Sequence, residues 1–332
     1  MFINFEDVNF VEFWNSLTEN SYVSPFYQAT QLGYHAQRPK DEGSKLDNIS
    51  FIKLINGNPV AGFIGAAVEH EGVVKVLSYE TPAMFVANDK FIKKAKKQFL
   101  QEFDCRIKGC NQLLLTDYLP QGTISALSNH LLKSGAQATP RLSQVIDLAE
   151  DKSLLWRKIR KSYSSLINNG LRDLEPIILD NKTITWEHMQ EFRSLHIREA
   201  GRETRSEESW KRQYEMVKAD EAFVIFGTFE NQLLSAGFFS YNKTNCYYWV
   251  SASRRDLFDK PLFHAIMWTA ILYAKNLGCR WFELGEKYFP NHPEDKTPTT
   301  KELGISDFKS GFGGETRIFL DLTLDNGLDS AS

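Results

Sequence analysis

The sequence predicts a mixed α/β protein made of two successive domains, and three observations lead to that prediction. The 332 residues are about twice the roughly 150 that one domain usually takes. Hydrophobic residues at 42% and charged residues at 24% match globular proteins and exclude a disordered or fibrous chain. The order of helix and strand patterns in the first half also returns in the second half. We therefore predict domains at 1–150 and 151–324.

Short amphipathic helices open the predicted first domain, at 6–19 and 26–36, and a polar loop follows at 38–48. Asn-Gly and Glu-Gly turns then separate three β-rich runs, which predicts an antiparallel meander. These runs are FIKLING (51–57), PVAGFIGAAVE (59–69) and VVKVLSY (73–79). Apolar residues at i, i+4 spacing predict a long helix over 89–108; they are Phe91, Ala95, Phe99 and Phe103. The domain closes with a strand at 112–118, a helix at 122–134 and a strand at 143–148.

The second half repeats this order. A basic helix is predicted over 151–169 with its end at Gly170, and it precedes the strand EPIILD (175–180) and helices at 185–199 and 206–219. A second run of strands is formed by AFVIFGTFE (222–230), QLLSAGFFSYN (232–242) and NCYYWVSAS (245–253). Pro261 at the first position and Gly278 just past the end predict a helix over 261–277. The closing strands are WFELGE (281–286) and TRIFLDL (316–322), and the tail at 325–332 is predicted to be disordered.

Charge and cysteine content narrow the function classes. Lys and Arg number 39 and Asp and Glu 42, so the net charge of −3 argues against a protein that holds nucleic acid through a wholly basic surface. The 4 cysteines and 7 histidines lack metal-ligand spacing, which predicts buried thiols in a reducing compartment and no metal. No apolar run reaches the about 18 residues of a membrane span, and the opening MFINFEDVNF has no basic leader. These observations predict a cytoplasmic protein with no membrane span.

Two segments carry recognisable motifs. In SQVIDLAEDKSLLWRKIRKSYSSLINNG, an Asp-Leu strand end leads into a helix of the type Leu-x-x-x-[Arg/Lys]-x-x-x-Arg that ends at a glycine. In LFHAIMWTAILYAKNLGCRWFELGE, a helix with an Ala-Lys-x-x-Gly end precedes a short acidic strand, and GISDFKSGFGGE adds a Lys-x-Gly-Phe-Gly-Gly loop. Both segments resemble the FemAB-type peptidoglycan-bridge aminoacyltransferases and their acyltransferase relatives in the GNAT superfamily.

The resemblance implies a tandem pair of GNAT-like domains, each a mixed, splayed sheet flanked by helices, with a cleft between them. It implies an N-acyltransferase that moves an acyl or aminoacyl group from an activated donor to an amine of a cell-envelope or glycan precursor. That acceptor would be a small molecule or a nucleotide-linked glycan or peptidoglycan precursor. The donor stays open between acyl-coenzyme A and aminoacyl-tRNA, because the sequence has no long heptad helices for the coiled-coil arm that tRNA-dependent members often insert. No permanently bound cofactor is implied.

Two alternatives to this predicted function stay open. One is an aminoacyl-tRNA-dependent peptidoglycan-bridge aminoacyltransferase, and the other is a non-catalytic module that binds a glycan or a protein on a degenerate GNAT pair. An open splay in the second domain, with Lys309 directed into it, would favour the enzyme over the binding module.

The resemblance implies a donor site between the strand 245–253 and the helix 261–277, with the donor phosphates at the amino end of that helix. The connecting loop supplies three cations, and the strand supplies aromatic side chains that would line the splay. These candidate donor-binding residues are Arg254, Arg255, Lys260, Tyr248 and Trp249. The loop lacks the glycine-rich signature of ordinary acetyl-coenzyme A binders, so an exposed basic loop is the alternative.

Lys309 and Glu283 are the candidate catalytic residues. Lys309 stands in the glycine-containing segment DFKSGFGGE, where a fixed charge could stabilise an oxyanion or a phosphate. The glycines after it would let the backbone approach a ligand and adopt positive φ. Glu283 shares a strand face with Trp281 and could accept a proton from the attacking amine. A surface lysine in a turn and a solvent-facing glutamate are the alternatives.

Three arginines are the candidates for acceptor binding. Arg198 and Arg205 lie in HIREAGRETRS, where members of the family place an arginine-bearing loop, and guanidinium forks suit diphosphate or carboxylate groups. Arg160 belongs to a run of six cations between Lys152 and Arg172, which predicts an anion-contacting surface. The alternative for all three is a solvated helix face or helix end.

Overall fold

The structure, a computed structural model, describes residues 1–19, 21–119, 122–257, 260–291 and 297–325. It divides into two compact units, one formed by the described residues of 1–141 and 318–325 and the other by those of 142–317. Most of the tail predicted to be disordered, from residue 326 onward, lies outside the described residues.

The division of the chain differs from the sequence prediction at both ends of the second unit. The first boundary falls at residue 142 instead of near 150, inside the strand Gln137–Asp147 (β9). The closing strand, Glu315–Asp325 (β15), returns to the first unit from Ile318 onward. The reason for this return is hydrogen bonding, because Leu320–Asp325 pair antiparallel with Gln112–Asp117.

The first unit combines short helices with a mixed sheet. Its helices are Phe10–Thr18 (α1), Ala29–His35 (α2), Gln37–Asp41 (α3), Lys93–Arg106 (α4) and Ala126–Lys133 (α5). Its strands are Phe2–Asn4 (β1), Lys45–Asn48 (β2), Phe51–Ile55 (β3), Asn58–Ile64 (β4), Ala66–His70 (β5), Val73–Leu77 (β6), Ala83–Ala87 (β7) and Gln112–Asp117 (β8). In this sheet the order is β1-β3-β4-β7-β8-β15, while β6 also pairs with β8, β5 with β6, and β2 with β5.

The predicted meander is present only as two hairpins, because the predicted strand 59–69 is interrupted at Gly65. The Ser50 hydroxyl donates to the Gly65 carbonyl at 3.1 Å and accepts from its N–H at 3.0 Å. A Cβ at this position would lie 2.6 Å from the Phe63 ring. The chain therefore leaves β4 at Gly65 and enters a separate strand, β5, and β4 pairs instead with β7, a strand that the sequence analysis missed.

The helical periodicity in the first unit is confirmed. The predicted helix 89–108 corresponds to α4, whose buried residues are Ala95, Phe99 and Phe103. Phe99 stacks 4.7 Å from Phe51 of β3, and Phe103 lies 5.2 Å from Phe63 of β4. The i, i+4 apolar face of this helix thus forms the core of the unit against its sheet.

The second unit repeats the combination of helices and sheet. Its helices are Lys152–Lys158 (α6), Lys161–Asp173 (α7), Trp186–Ala200 (α8), Glu207–Lys218 (α9), Leu262–Asn276 (α10) and Thr300–Ser310 (α11). Its strands beside residues 142–147 of β9 are Glu175–Leu179 (β10), Ala222–Phe229 (β11), Gln232–Tyr241 (β12), Asn245–Ser253 (β13) and Trp281–Glu286 (β14). They follow the order β9-β14-β13-β12-β11-β10.

Helices cover both faces of the second sheet. One core contains Phe239 of β12 and Phe282 of β14 together with Met267 and Ile271 of α10. On the opposite face, Phe192 of α8 packs against Trp210 of α9 at 5.2 Å and reaches Phe226 of β11. The predicted helix 261–277, buried along most of its length, is confirmed as α10.

The predicted basic helix 151–169 is wrong in two respects, and the first is that the chain forms two helices there. Ile159 and Arg160 are extended, with ψ of 142° and 130°, and the Arg160 N–H donates to the Gly311 carbonyl at 2.8 Å. Gly170 also does not end the helix, because α7 continues to Asp173. A Cβ on Gly170 would lie 2.9 Å from the Cβ of Ala265, so this glycine lets α7 cross α10 closely.

The glycines after Lys309 have a structural explanation that differs from the predicted one. Gly313 and Gly314 have the predicted positive φ, at 84° and 80°. A Cβ on Gly314 would lie 2.4 Å from the Val145 carbonyl oxygen, and a Cβ on Gly311 would lie 2.2 Å from the Tyr163 ring. These glycines therefore make room for contacts within the protein, where the sequence analysis expected approach to a ligand.

This packing predicts opposite effects for two glycine-to-alanine substitutions. Gly314→Ala should lower the free energy of unfolding by about 2–4 kcal/mol, because it adds left-handed strain and a backbone clash. Gly304→Ala should raise it by about 0.5–1 kcal/mol, because that glycine lies inside α11 with nothing near its Cβ position. Urea unfolding of both variants measures the difference. Equal stabilities would contradict the packing described here.

Candidate functional site

The second sheet opens between β13 and β14. These strands are parallel, and their ladder joins Asn245–Tyr247 to Trp281–Glu283 over three residue pairs. Beyond Tyr247 and Glu283, β13 continues to Ser253 and β14 to Glu286 without further pairing to each other. The backbones therefore diverge at the place where the resemblance implies a donor site.

Two bulges bend the strands at this opening. On β13, Phe238 and Phe239 of β12 pair with Val250 and Tyr248, so Trp249 between them is an extra residue. On β14, the register with β9 shifts between Glu283 and Gly285. Bulges increase local twist and redirect side chains, so both strands turn where their common ladder stops.

Lys309 reaches this opening from α11. The sequence analysis placed Lys309 in a loop, but it lies in the last turn of this helix, which a capping box between Thr299 and Glu302 begins. Its ammonium donates a hydrogen bond to the Glu286 carbonyl at 3.2 Å. Burial lowers the pKa of Lys309, and the carboxylates of Glu286 and Glu283 oppose this effect.

Gly285 brings Lys309 together with a tyrosine that was not among the predicted site residues. Gly285 has a φ of +89°, and a Cβ there would lie 3.0 Å from the Tyr247 hydroxyl and 3.1 Å from Lys309 Nζ. The hydroxyl and the ammonium therefore both lie against this glycine. Tyr247 is paired with Glu283 in the ladder between β13 and β14. Paired residues on neighbouring strands share a face of the sheet, so this register is the signal that identifies Tyr247.

Glu283 is a buried carboxylate on this same face of the sheet. Its exposed fraction is 2%, and the Ser143 hydroxyl donates to its Oε1 at 2.8 Å. Phe282 and Leu284 lie on the opposite face, in the core with α10. The predicted alternation along β14 is confirmed, and the alternative of a solvent-facing glutamate is wrong.

Tyr248 and Trp249, the predicted donor-lining residues, lie in different surroundings. The Tyr248 ring packs 5.5 Å from Phe263 of α10, and its hydroxyl lies 2.6 Å from Ser251 Oγ. Burial raises the pKa of Tyr248 to about 12, and the hydrogen bond to Ser251 opposes this effect. Trp249, at the bulge, packs 5.9 Å from Phe238. The structure thus assigns Tyr248 to the α10 side of the sheet.

One of the three cations predicted to bind the acyl donor is already paired with a carboxylate. Arg254 forms an ion pair with Asp256, whose Oδ1 accepts from Nε at 2.9 Å. Within the described part of the chain, Arg255 and Lys260 are exposed and have no carboxylate within 4.0 Å. The Arg255 N–H donates to Glu199 at 2.9 Å, so the loop after β13 contacts the end of α8.

The predicted acceptor arginines are dispersed. Arg160 is bidentate with Asp307, at 2.6 and 2.8 Å. The Arg160 guanidinium therefore holds the connection between α6 and α7 against α11, and this corrects the predicted anion-contacting role. Arg198 pairs with Glu199 at 2.9 Å and lies 3.6 Å from Asp256, beside the donor loop. Arg205 lies over the Trp210 ring at 5.6 Å.

Candidate metal clusters and membrane-spanning helices are both absent from the described residues. No group of three or more His, Cys, Asp or Glu side chains there could hold a metal ion. No helix in the same ranges is long and apolar enough to cross a bilayer.

Comparison with solved structures shows the fold. FemX matches with a TM-score of 0.71 at 11% identity, over 92% of this chain and 94% of that chain. The C-terminal domain (DUF2156) of a putative lysylphosphatidylglycerol synthetase from Agrobacterium fabrum matches with a TM-score of 0.60 at 13% identity, over 97% and 92%. A tandem GNAT protein from the clavulanic acid biosynthesis pathway matches with a TM-score of 0.54 at 12% identity, over 99% of both chains. The predicted fold of two tandem GNAT-like domains is confirmed.

Sequence comparison adds no further relatives. No protein-family model matches this chain. No curated protein matches it in sequence either.

The partly buried ammonium of Lys309 predicts an unusual effect on stability. Lys309→Met should raise the melting temperature at neutral pH, because a lowered pKa means that folding disfavours the charged form. The gain should shrink as the pH rises from the folded pKa toward the ordinary 10.5, since the wild-type ammonium then loses its proton in both states. Lys301→Met is the control, since Lys301 is exposed on the same helix. A less stable Lys309→Met variant would contradict this account of the site.

Proposed function

We propose that this chain is an N-acyltransferase that moves an acyl or aminoacyl group from an activated donor to an amine of a cell-envelope or glycan precursor. The observation that carries the proposal is the meeting of Lys309 Nζ and the Tyr247 hydroxyl at Gly285, where β13 and β14 diverge. Attack on an acyl carbonyl places negative charge on its oxygen, and fixed donors aimed at that oxygen stabilise the transition state. Lys309 and Tyr247 supply one cationic and one neutral donor.

In this arrangement, transfer proceeds by addition of the acceptor amine to the donor carbonyl and then elimination of the leaving group. The donor carbonyl enters the opening with its oxygen toward Lys309 Nζ, and the acceptor amine forms the new C–N bond. The tetrahedral intermediate then collapses as the bond between the carbonyl carbon and the leaving group breaks. The leaving atom is the sulfur of coenzyme A or the ribose oxygen of tRNA. The amine proton passes to Glu283, directly or through water, and a proton returns to the leaving group.

The carboxylates around Lys309 define its part in this scheme. The carboxylates of Glu283 and Glu286 oppose the lowering of the Lys309 pKa by burial. The Glu286 carbonyl fixes the ammonium in position by accepting its hydrogen bond. A charge held in place before the reaction costs no reorganisation when negative charge develops beside it. We therefore assign Lys309 to oxyanion stabilisation and Glu283 to proton transfer.

The donor is either an acyl-coenzyme A or an aminoacyl-tRNA. Both carry phosphates, and Arg255, in the loop that follows β13, has an exposed side chain that would bind them. Arg198, with half of its side chain exposed, lies beside the same loop and is proposed to contact the acceptor with Arg205. All four cysteines are in the thiol form, which supports a reducing compartment, and we place the reaction in the cytoplasm, where both donors are made.

Removal of the ammonium should slow transfer strongly. Lys309→Ala should lower turnover on the order of 10²-fold or more, because a lost oxyanion donor typically costs this much. Lys309→Arg should restore only part of the rate, since the planar fork cannot replace a compact charge. Lys301→Ala, on the exposed side of α11, is the matched control.

The measurement uses radiolabelled acetyl-coenzyme A, longer acyl-coenzyme A esters and charged tRNA, each with amino sugar and peptidoglycan-precursor acceptors. If Lys309→Ala transfers the label as fast as the wild type, Lys309 has no part in the mechanism. A folded wild type that binds acceptors but transfers from no donor would favour the non-catalytic binding module.

The two neighbouring tyrosines of β13 provide a second test. Tyr247→Phe should lower turnover by about tenfold, which corresponds to one hydrogen bond of about 1.4 kcal/mol in the transition state. Tyr248→Phe should leave turnover within about twofold of the wild-type value, because its hydroxyl is bonded to Ser251 and its ring packs on α10. Steady-state kinetics of both variants measure this difference. The reverse order of the two effects would contradict the assignment of Tyr247.

A further inference from the structure

A second pocket lies in the unit formed by residues 142–317, at the amino end of α10. Its volume is about 330 Å³, within the range of small-molecule sites. The lining comes from the end of α7, from the β11–β12 hairpin, and from the first residue of α10 with the two residues before it. None of these residues belongs to the site around Lys309.

The floor of this pocket is aliphatic. Leu174, Leu234 and Leu262 form a small hydrophobic cluster, and each is more than nine-tenths buried. Phe229 stands at the edge with 49% of its surface exposed. The close crossing of α7 and α10 at Gly170 forms the rear wall, since a Cβ there would lie 3.1 Å from the Pro261 carbonyl oxygen. The pocket therefore offers an apolar surface to a ligand of matching shape.

The mouth of the pocket is positively charged. Lys260 is exposed there and, among the described residues, has no carboxylate within 4.0 Å. Arg172 is already paired with Asp173 at 2.9 Å, so these two charges cancel. α10 starts beside Lys260 without a side-chain cap, and an uncapped helix start adds unbonded N–H groups and positive potential. Among the residues that the structure describes, the charge at the mouth without a carboxylate partner is thus that of Lys260.

We propose that this pocket binds an aliphatic anion, with its chain on the three leucines and its carboxylate or phosphate at Lys260 and the start of α10. A nucleotide fits less well, because a base presents hydrogen-bonding edges and the polar side chains of the lining other than Lys260 are the mutually paired Arg172 and Asp173. This assignment gives Lys260 a different ligand from the donor phosphates that the sequence analysis expected.

Calorimetric titration of the full-length protein with decanoate tests the proposal. Decanoate should bind saturably to one site, and decanol, which lacks the charge, should bind at least about tenfold more weakly. Lys260→Glu should weaken decanoate binding by about tenfold or more, and Phe229→Ser should weaken it several-fold by removing part of the apolar edge. Both positions are exposed, so the variants should keep the wild-type melting temperature.

Lys182→Glu is the matched control, because Lys182 is exposed in the same unit and outside the pocket; its decanoate affinity should equal that of the wild type. The proposal is overturned if decanoate does not bind, if decanol binds as tightly, or if Lys260→Glu and Phe229→Ser leave the affinity unchanged. Binding of adenosine monophosphate in preference to decanoate would assign the pocket to nucleotides instead.

Discussion

The early end of the ladder between β13 and β14 is the feature on which the candidate site depends. Parallel strands in a sheet usually remain hydrogen-bonded along their shared length, but these two separate after Tyr247 and Glu283. A bulge at Trp249 and a left-handed glycine at 285 bend the strands at that point. The carbonyl of Glu286 then accepts from a lysine ammonium. A longer ladder would close the space in which Lys309 and Tyr247 meet.

The elements around the opening hold the lysine in place. Arg160 clamps Asp307 near the end of α11, and the Arg160 N–H binds the Gly311 carbonyl just past that end. Tyr163 packs against Gly311 and lies 4.6 Å from His264, whose pKa burial lowers to about 4. His264 is therefore neutral at pH 7 and adds no charge to the aromatic packing around Phe308 of α11. The packing contacts of the motif DFKSGFGGE thus fix the position of the Lys309 ammonium.

Sequence reasoning identified features that depend on local patterns and missed those that depend on partners distant in sequence. The apolar periodicity of α4 and α10 and the alternation along β14 were predictable, and Lys309 and Glu283 lie at the opening. The helix α11 was missed although Thr299 and Glu302 have capping-box spacing, because Gly304 and the glycines after Lys309 favour a loop. The break at Arg160 depends on Gly311, far away in the chain, and Tyr247 joins the site only through strand register. No local pattern carries such information.

The central claim is that the acyl carbonyl of the donor binds at the Lys309 ammonium, in the opening between β13 and β14. A crystal structure with a ketone analogue of acetyl-coenzyme A, and one with a short acceptor stem ending in a stable aminoacyl amide, test this most directly. In one of the two complexes, we expect the carbonyl oxygen to lie at hydrogen-bond distance, about 2.7–3.2 Å, from Lys309 Nζ. A donor carbonyl bound elsewhere, with Lys309 still bonded only to Glu286, would contradict it.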